Sequence, residues 1–122
     1  MRDCPEELDF MSLFECIPLK KDQNENFLYN ESTFIFANEI NKFEVKISPF
    51  YNSFSLLVTD LEDDEIFYYS LESVTKVEIV NDNKENKAIR LFIDQGIDRF
   101  IMIMDLVFRP KFKVVLKEVS DS

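Results

Sequence analysis

From Thr33 onward, apolar side chains recur at every second position. Phe34 and Phe36 flank Ile35, and Phe43, Val45 and Ile47 alternate with Lys42, Glu44 and Lys46. That period belongs to strands buried on one face. Pro49 closes the second of them. Phe54, Leu56 and Val58 then alternate with Ser53, Ser55 and Leu57, and the chain enters the acidic run Asp60, Leu61, Glu62, Asp63, Asp64, Glu65, which predicts a hairpin tip. Ile66 to Leu71 and Val74 to Val80, rich in β-branched and aromatic residues, read as two further strands separated by Glu72 and Ser73. A polar connection follows from Asn81 to Asn86. Ile89, Leu91 and Ile93 alternate with Arg90, Phe92 and Asp94, and Gln95 with Gly96 marks a reversal before the apolar strand Phe100 to Met104. Beyond Arg109 and Pro110, the last strand sets Phe112, Val114 and Leu116 against Lys111, Lys113, Val115 and Lys117.

The first thirty residues follow a different rule. Asp3 is placed to cap a short helix with Pro5 in its first turn, and Glu6 and Glu7 suit its positive end. Leu8, Met11 and Phe14 or Glu15 follow at helical spacing. Pro18 ends the segment, and Lys20 to Asn26 reads as a loop. Seven or eight short strands after one short N-terminal helix, with turn-length connections throughout, predict a mostly β fold. The expected form is an antiparallel meander arranged as a sandwich, a curved sheet or an open barrel. No interval between strands is both long and helix-periodic, which disfavours a parallel sheet.

Composition sharpens this reading. With 122 residues, 46% hydrophobic and 13 of them Phe, the chain is expected to fold as a single domain over residues 1 to 122. No apolar run reaches the ~20 residues of a membrane helix, and Met1 to Glu7 has no apolar signal core, so the expected address is the cytoplasm. Cys4 and Cys16 are expected as reduced thiols. The formal net charge is −10, and the excess is confined to residues 1 to 65, which carry 15 acidic and 5 basic side chains. Such a field repels nucleic acid and anionic membranes and steers a basic protein into contact; it also serves simply to keep a protein soluble.

The equipment of most enzymes is missing from the sequence. There is no His, which removes the commonest general base and metal ligand, and the lone Gly rules out phosphate-cradling glycine loops. No catalytic residue, metal site or cofactor is therefore assigned. The acids from Glu62 to Glu65 lack the spacing of a calcium loop and read either as a solvated turn or as a binding surface. Cys16, with Glu15 beside it, reads as a small core residue. Of the adjacent pair Tyr68 and Tyr69, alternation predicts one exposed ring, either plain sheet surface or a binding anchor. Arg109, Lys111, Lys113 and Lys117 fit an edge strand guarded against aggregation better than a nucleic-acid face.

The stretch from Tyr68 to Val119 resembles the small all-β immunity proteins of bacterial polymorphic toxins. The likeness lies in a strand, the step Ser70, Leu71, Glu72, Ser73, Val74, and then Val77 to Val80, Ile89 to Ile93 and Phe112 to Leu116. It covers under half the chain, and the sparse Gly and absent Trp depart from the pattern. The resemblance implies a non-enzymatic inhibitor of the immunity or antitoxin type, binding a toxin or nuclease domain. The acidic surface implies a basic partner, with Asp60, Glu62, Asp63, Asp64 and Glu65 supplying charge and Tyr68 or Tyr69 the aromatic anchor. A phage-encoded inhibitor of bacterial defence, acting as an acidic mimic or by sequestering a ligand, and a structural subunit of an assembly remain as alternatives. Open strand edges also permit a homodimer.

Overall fold

In the computed structural model, which describes residues 1–94, 96 and 100–120, the alternating segments form two antiparallel sheets and no closed barrel. The first sheet has the order β1 (Leu19–Lys20), β2 (Ser32–Ala37), β3 (Asn41–Ser48), β4 (Ser53–Asp60) and β5 (Glu65–Leu71). The second follows as β6 (Val74–Asp82), β7 (Lys87–Asp94), β8 (Phe100–Arg109) and β9 (Lys113–Ser120). Each sheet is a plain meander, and the two-residue link Glu72–Ser73 carries the chain from one sheet to the other. A connection that short looks like a hairpin turn in the sequence. Here Val74 N–H instead donates to Asn52 O at 3.1 Å, and Asp94 N–H donates to Ser73 O at 2.9 Å, which turns the chain out of the first sheet.

Register brings the apolar alternates into rows. Phe34 faces Val45, Val45 faces Leu56, and Phe43 faces Val58 in the first sheet. Leu91 lies between Val77 and Met104 in the second. These inner faces pack on each other as the core. Phe108 on β8 stands edge-on to Phe14, Phe36 and Phe43 at ring-centre distances of 5.5, 5.2 and 5.2 Å, so one ring joins the helix and both sheets. Asn38 adds a polar tie, its side-chain amide donating to Phe108 O at 2.7 Å.

The helix α1 spans Glu7–Phe14. Its N-cap is Glu6, whose N–H donates to the Asp9 carboxylate at 2.9 Å, and Glu15, in the left-handed region at φ 55°, ends it. This corrects the expected cap. Asp3 instead lies along the edge of β6, where Arg2 N–H donates to Thr75 O at 2.8 Å and Val77 N–H donates to Asp3 O at 3.0 Å. The helix face is corrected in part: Phe14 is buried and Met11 half-buried against the core as expected, but Leu8 is 71% exposed and Phe10 and Leu13 are buried in its stead. Phe10 and Phe14 enter the aromatic cluster, and no such packing is open to Leu8. Within the expected loop from Lys20 to Asn26, Lys20 pairs with Ser32, so β1 adds a two-residue strand. Gln95, placed at a reversal by the sequence, lies outside the described residues; Gly96 adopts φ +74°.

Candidate functional site

The acidic run forms the predicted hairpin tip between β4 and β5. Its carboxylates do different jobs. Asp60 Oδ1 accepts from the N–H groups of Glu62 and Asp64 at 2.8 and 3.0 Å, holding the turn closed. Asp63 takes the left-handed conformation at φ 68° that the turn requires, and its carboxylate meets Lys42 Nζ at 2.7 Å. Glu62, Asp64 and Glu65 are exposed and form no ion pair among the described residues. Four of the five carboxylates thus have no cationic partner among the described residues, and three of these, Glu62, Asp64 and Glu65, are also free of a part in holding the turn.

Beside the tip, the ladder shifts between Val58 and Thr59: Phe67 faces Val58 and Glu65 faces Thr59, so Ile66 is the extra residue of a bulge and is 54% exposed. Tyr68, 57% exposed, faces Leu57 on the outer side of the sheet, where the row continues through Glu44 to the exposed Ile35. The alternation rule predicted one exposed tyrosine, and the structure exposes both. Tyr69 faces Leu56 on the inner side and stacks against Phe67 at 6.2 Å, but β5 is an edge strand, and its ring remains 37% exposed. The tip and this face thus gather six of the seven predicted residues, with Tyr69 on the opposite side of β5, and the row Tyr68, Leu57, Glu44 and Ile35 runs beside the acids.

The second sheet offers a different surface. Its outer charges are largely paired: Arg90 grips Asp105 through two nitrogens at 2.7 and 3.3 Å, and Lys76 lies 3.3 Å from Glu78. Of the C-terminal lysines, Lys113 and Lys117 project from β9, the edge of this sheet, and Lys111 precedes the strand.

No group of three His, Cys, Asp or Glu side chains among the described residues is arranged to hold a metal ion. Cys4 and Cys16 are free thiols. Burial pushes the Cys4 thiol up to about 11, and burial likewise raises Cys16. At pH 8 only about one Cys4 in a thousand is thiolate on that basis, and the thiolate is the reactive form. Alkylation by iodoacetamide at pH 8 is therefore expected to be at least tenfold slower in the folded protein than in urea; equal rates would show that the thiol is not buried.

Sequence reasoning missed a second exposed cluster. Two short 3-10 turns, Phe27–Tyr29 and Pro49–Tyr51, meet at the far end of the first sheet and set Tyr29 against Phe50 at 5.4 Å and Phe50 against Tyr51 at 5.2 Å. The three rings are 54, 60 and 71% exposed. The available signal was two consecutive aromatics after Pro49, in a turn too short to bury both.

No protein-family model matches the chain, and no curated protein matches it. A solved structure does. One chain of a contact-dependent growth inhibition toxin–immunity protein complex from Klebsiella pneumoniae 342 superposes with a TM-score of 0.74, covering 97% of each chain at 21% identity. The two chains share a fold from end to end. The likeness in fold to this component of the complex runs across both sheets.

Proposed function

We propose that this chain is a non-enzymatic immunity protein that binds a toxin domain and neutralises it in the cytoplasm of the producing cell. The observation that carries the reading is the shared fold, at 97% coverage of both chains, with a component of a toxin–immunity complex. A sequence without His and with a net charge of −10 suits the inhibitory half of such a pair better than the toxic half. The partner in this reading is basic. It docks over the acidic tip and the outer face of β4 and β5, with Glu62, Asp64 and Glu65 steering it in and Tyr68 and Ile66 buried on contact. Asp60 and Asp63 shape the tip, and Tyr69 borders it.

Tagged protein, expressed in its native host and washed with rising salt, provides the test. The expected result is capture of a basic toxin domain that kills cells expressing it alone and spares cells that also express this chain. Capture of no such protein at low or high salt overturns the reading. With the partner in hand, Glu62→Lys and Asp64→Lys together are expected to slow association about tenfold at low salt and to flatten its salt dependence. An unchanged association rate would remove the tip from the interface.

A further inference from the structure

We infer a second docking surface at the opposite end of the first sheet, built from Tyr29, Phe50 and Tyr51, whose occupant is a Lys- or Arg-bearing segment of the protein partner. The inference rests on the binding reading above but not on the acidic tip. Phe50 touches both Tyr29 and Tyr51, and three large rings so joined and each more than half exposed form a patch that isolated surface aromatics do not; aromatic clusters of this kind carry the binding energy of many interfaces. The chemistry around them selects the occupant. Tyr29 and Tyr51 line an open cleft together with Asp22, Glu25 and Glu31, and the one cation among its described lining residues is Lys21. Carboxylates beside exposed aromatic rings form a receptor for an ammonium or guanidinium group, through ion pairing and cation–π attraction.

The cleft is held in shape before any ligand arrives. Asn30, 5% exposed, donates to the carbonyls of Asp22 and Glu25 at 2.7 and 3.1 Å and accepts from the N–H groups of Asp22 and Glu31 at 3.1 and 2.9 Å. One buried amide thus fixes the backbone of the three residues that bear the carboxylates, which leaves only side chains to order on binding. The separation from the acidic tip follows from β4, which starts two residues after Tyr51 and ends at Asp60. At ~3.3 Å per residue the two ends lie roughly 23 Å apart. A standard interface of ~800 Å² per partner spans about 30 Å, enough for one partner to cover both.

The test titrates isotopically labelled protein with a hexa-arginine peptide at low salt, follows backbone amide shifts, and uses hexaglutamate as the control. Shifts are expected at residues 21–31 and 48–52 with the cationic peptide only. Tyr51→Ala is expected to weaken binding at least fivefold and Tyr51→Phe to leave it within twofold, because the ring face and not the hydroxyl makes the contact. With Tyr51 so exposed, neither change should disturb folding, and the amide spectrum verifies this directly. Shifts confined to residues 60–65, absent binding, or equal affinity of the Tyr51→Ala variant would overturn the inference. If the peptide binds here but no toxin is ever captured, the surface stands and the immunity reading falls. If a toxin is captured and neutralised equally by Tyr51→Ala, the surface falls and the immunity reading stands.

Discussion

Replacing Phe108 with Ala is expected to destabilise the protein by about 3–5 kcal/mol, the range for removing a large buried aromatic. The ring is 1% exposed and meets Phe14, Phe36 and Phe43 edge to face, so its loss leaves a hole where helix and both sheets converge. Edge-to-face pairs each add about 0.5–1.5 kcal/mol beyond burial, and Phe108→Leu is therefore expected to recover only part of the loss. Urea denaturation followed by circular dichroism measures both. A cost below about 1 kcal/mol for Phe108→Ala would mean that the cluster does not pack as described.

The second large effect concerns a charge in the interior. Lys87 is 6% exposed, and its ammonium donates to Leu13 O at 2.7 Å and to the Asp82 carboxylate at 3.1 Å. Leu13 O belongs to the last turn of α1, where carbonyls lack helical partners and the dipole favours a cation. Lys87 thus fastens the C-terminal end of the helix to the second sheet. Lys87→Met fills much of the same volume but strands the buried Leu13 carbonyl, while the exposed Asp82 carboxylate turns to water and the Ser12 hydroxyl, and is expected to cost about 1–3 kcal/mol. Asp82→Asn, which leaves a neutral acceptor for the ammonium, should cost less. The same denaturation curves decide the matter: equal midpoints for wild type and Lys87→Met would show that the buried ammonium contributes nothing net.

The central strands were legible because one face of each is buried and the other is not. Phe43, Val45 and Ile47, for example, could sit on a single face only as a strand. The edge strands β5 and β9 bury neither face fully, and β5 showed only in its β-branched and aromatic content. What escaped was tertiary in origin. Leu8, Met11 and Phe14 offered a plausible helical stripe, yet the face that packs is set by the aromatic rings it meets, so Phe10 and Leu13 join Phe14 inside and Leu8 is left out. Asp3 had the side chain of a cap, but the free edge of β6 gave its backbone a better partner. Glu72 and Ser73 carried no mark distinguishing a change of sheet from a hairpin. At the candidate sites, the acidic tip was visible as a run of charge, although the division between turn-holding Asp60, paired Asp63 and the free carboxylates was not. The aromatic cluster stayed hidden because Tyr29 and Phe50 are far apart in sequence and meet only once β2 and β3 have paired.

The strict division of the chain at Glu72–Ser73 also sets an order of events during synthesis. Every strand of the first sheet leaves the ribosome before any of the second, and each pairs with its immediate neighbour, so hairpins can form as they emerge. The finished first sheet nevertheless presents Phe34, Phe43, Phe54 and Val58 with only α1 to lie across them until β7 and β8 arrive. For that interval the nascent chain carries an uncovered apolar surface of the kind that chaperones bind and that aggregation exploits.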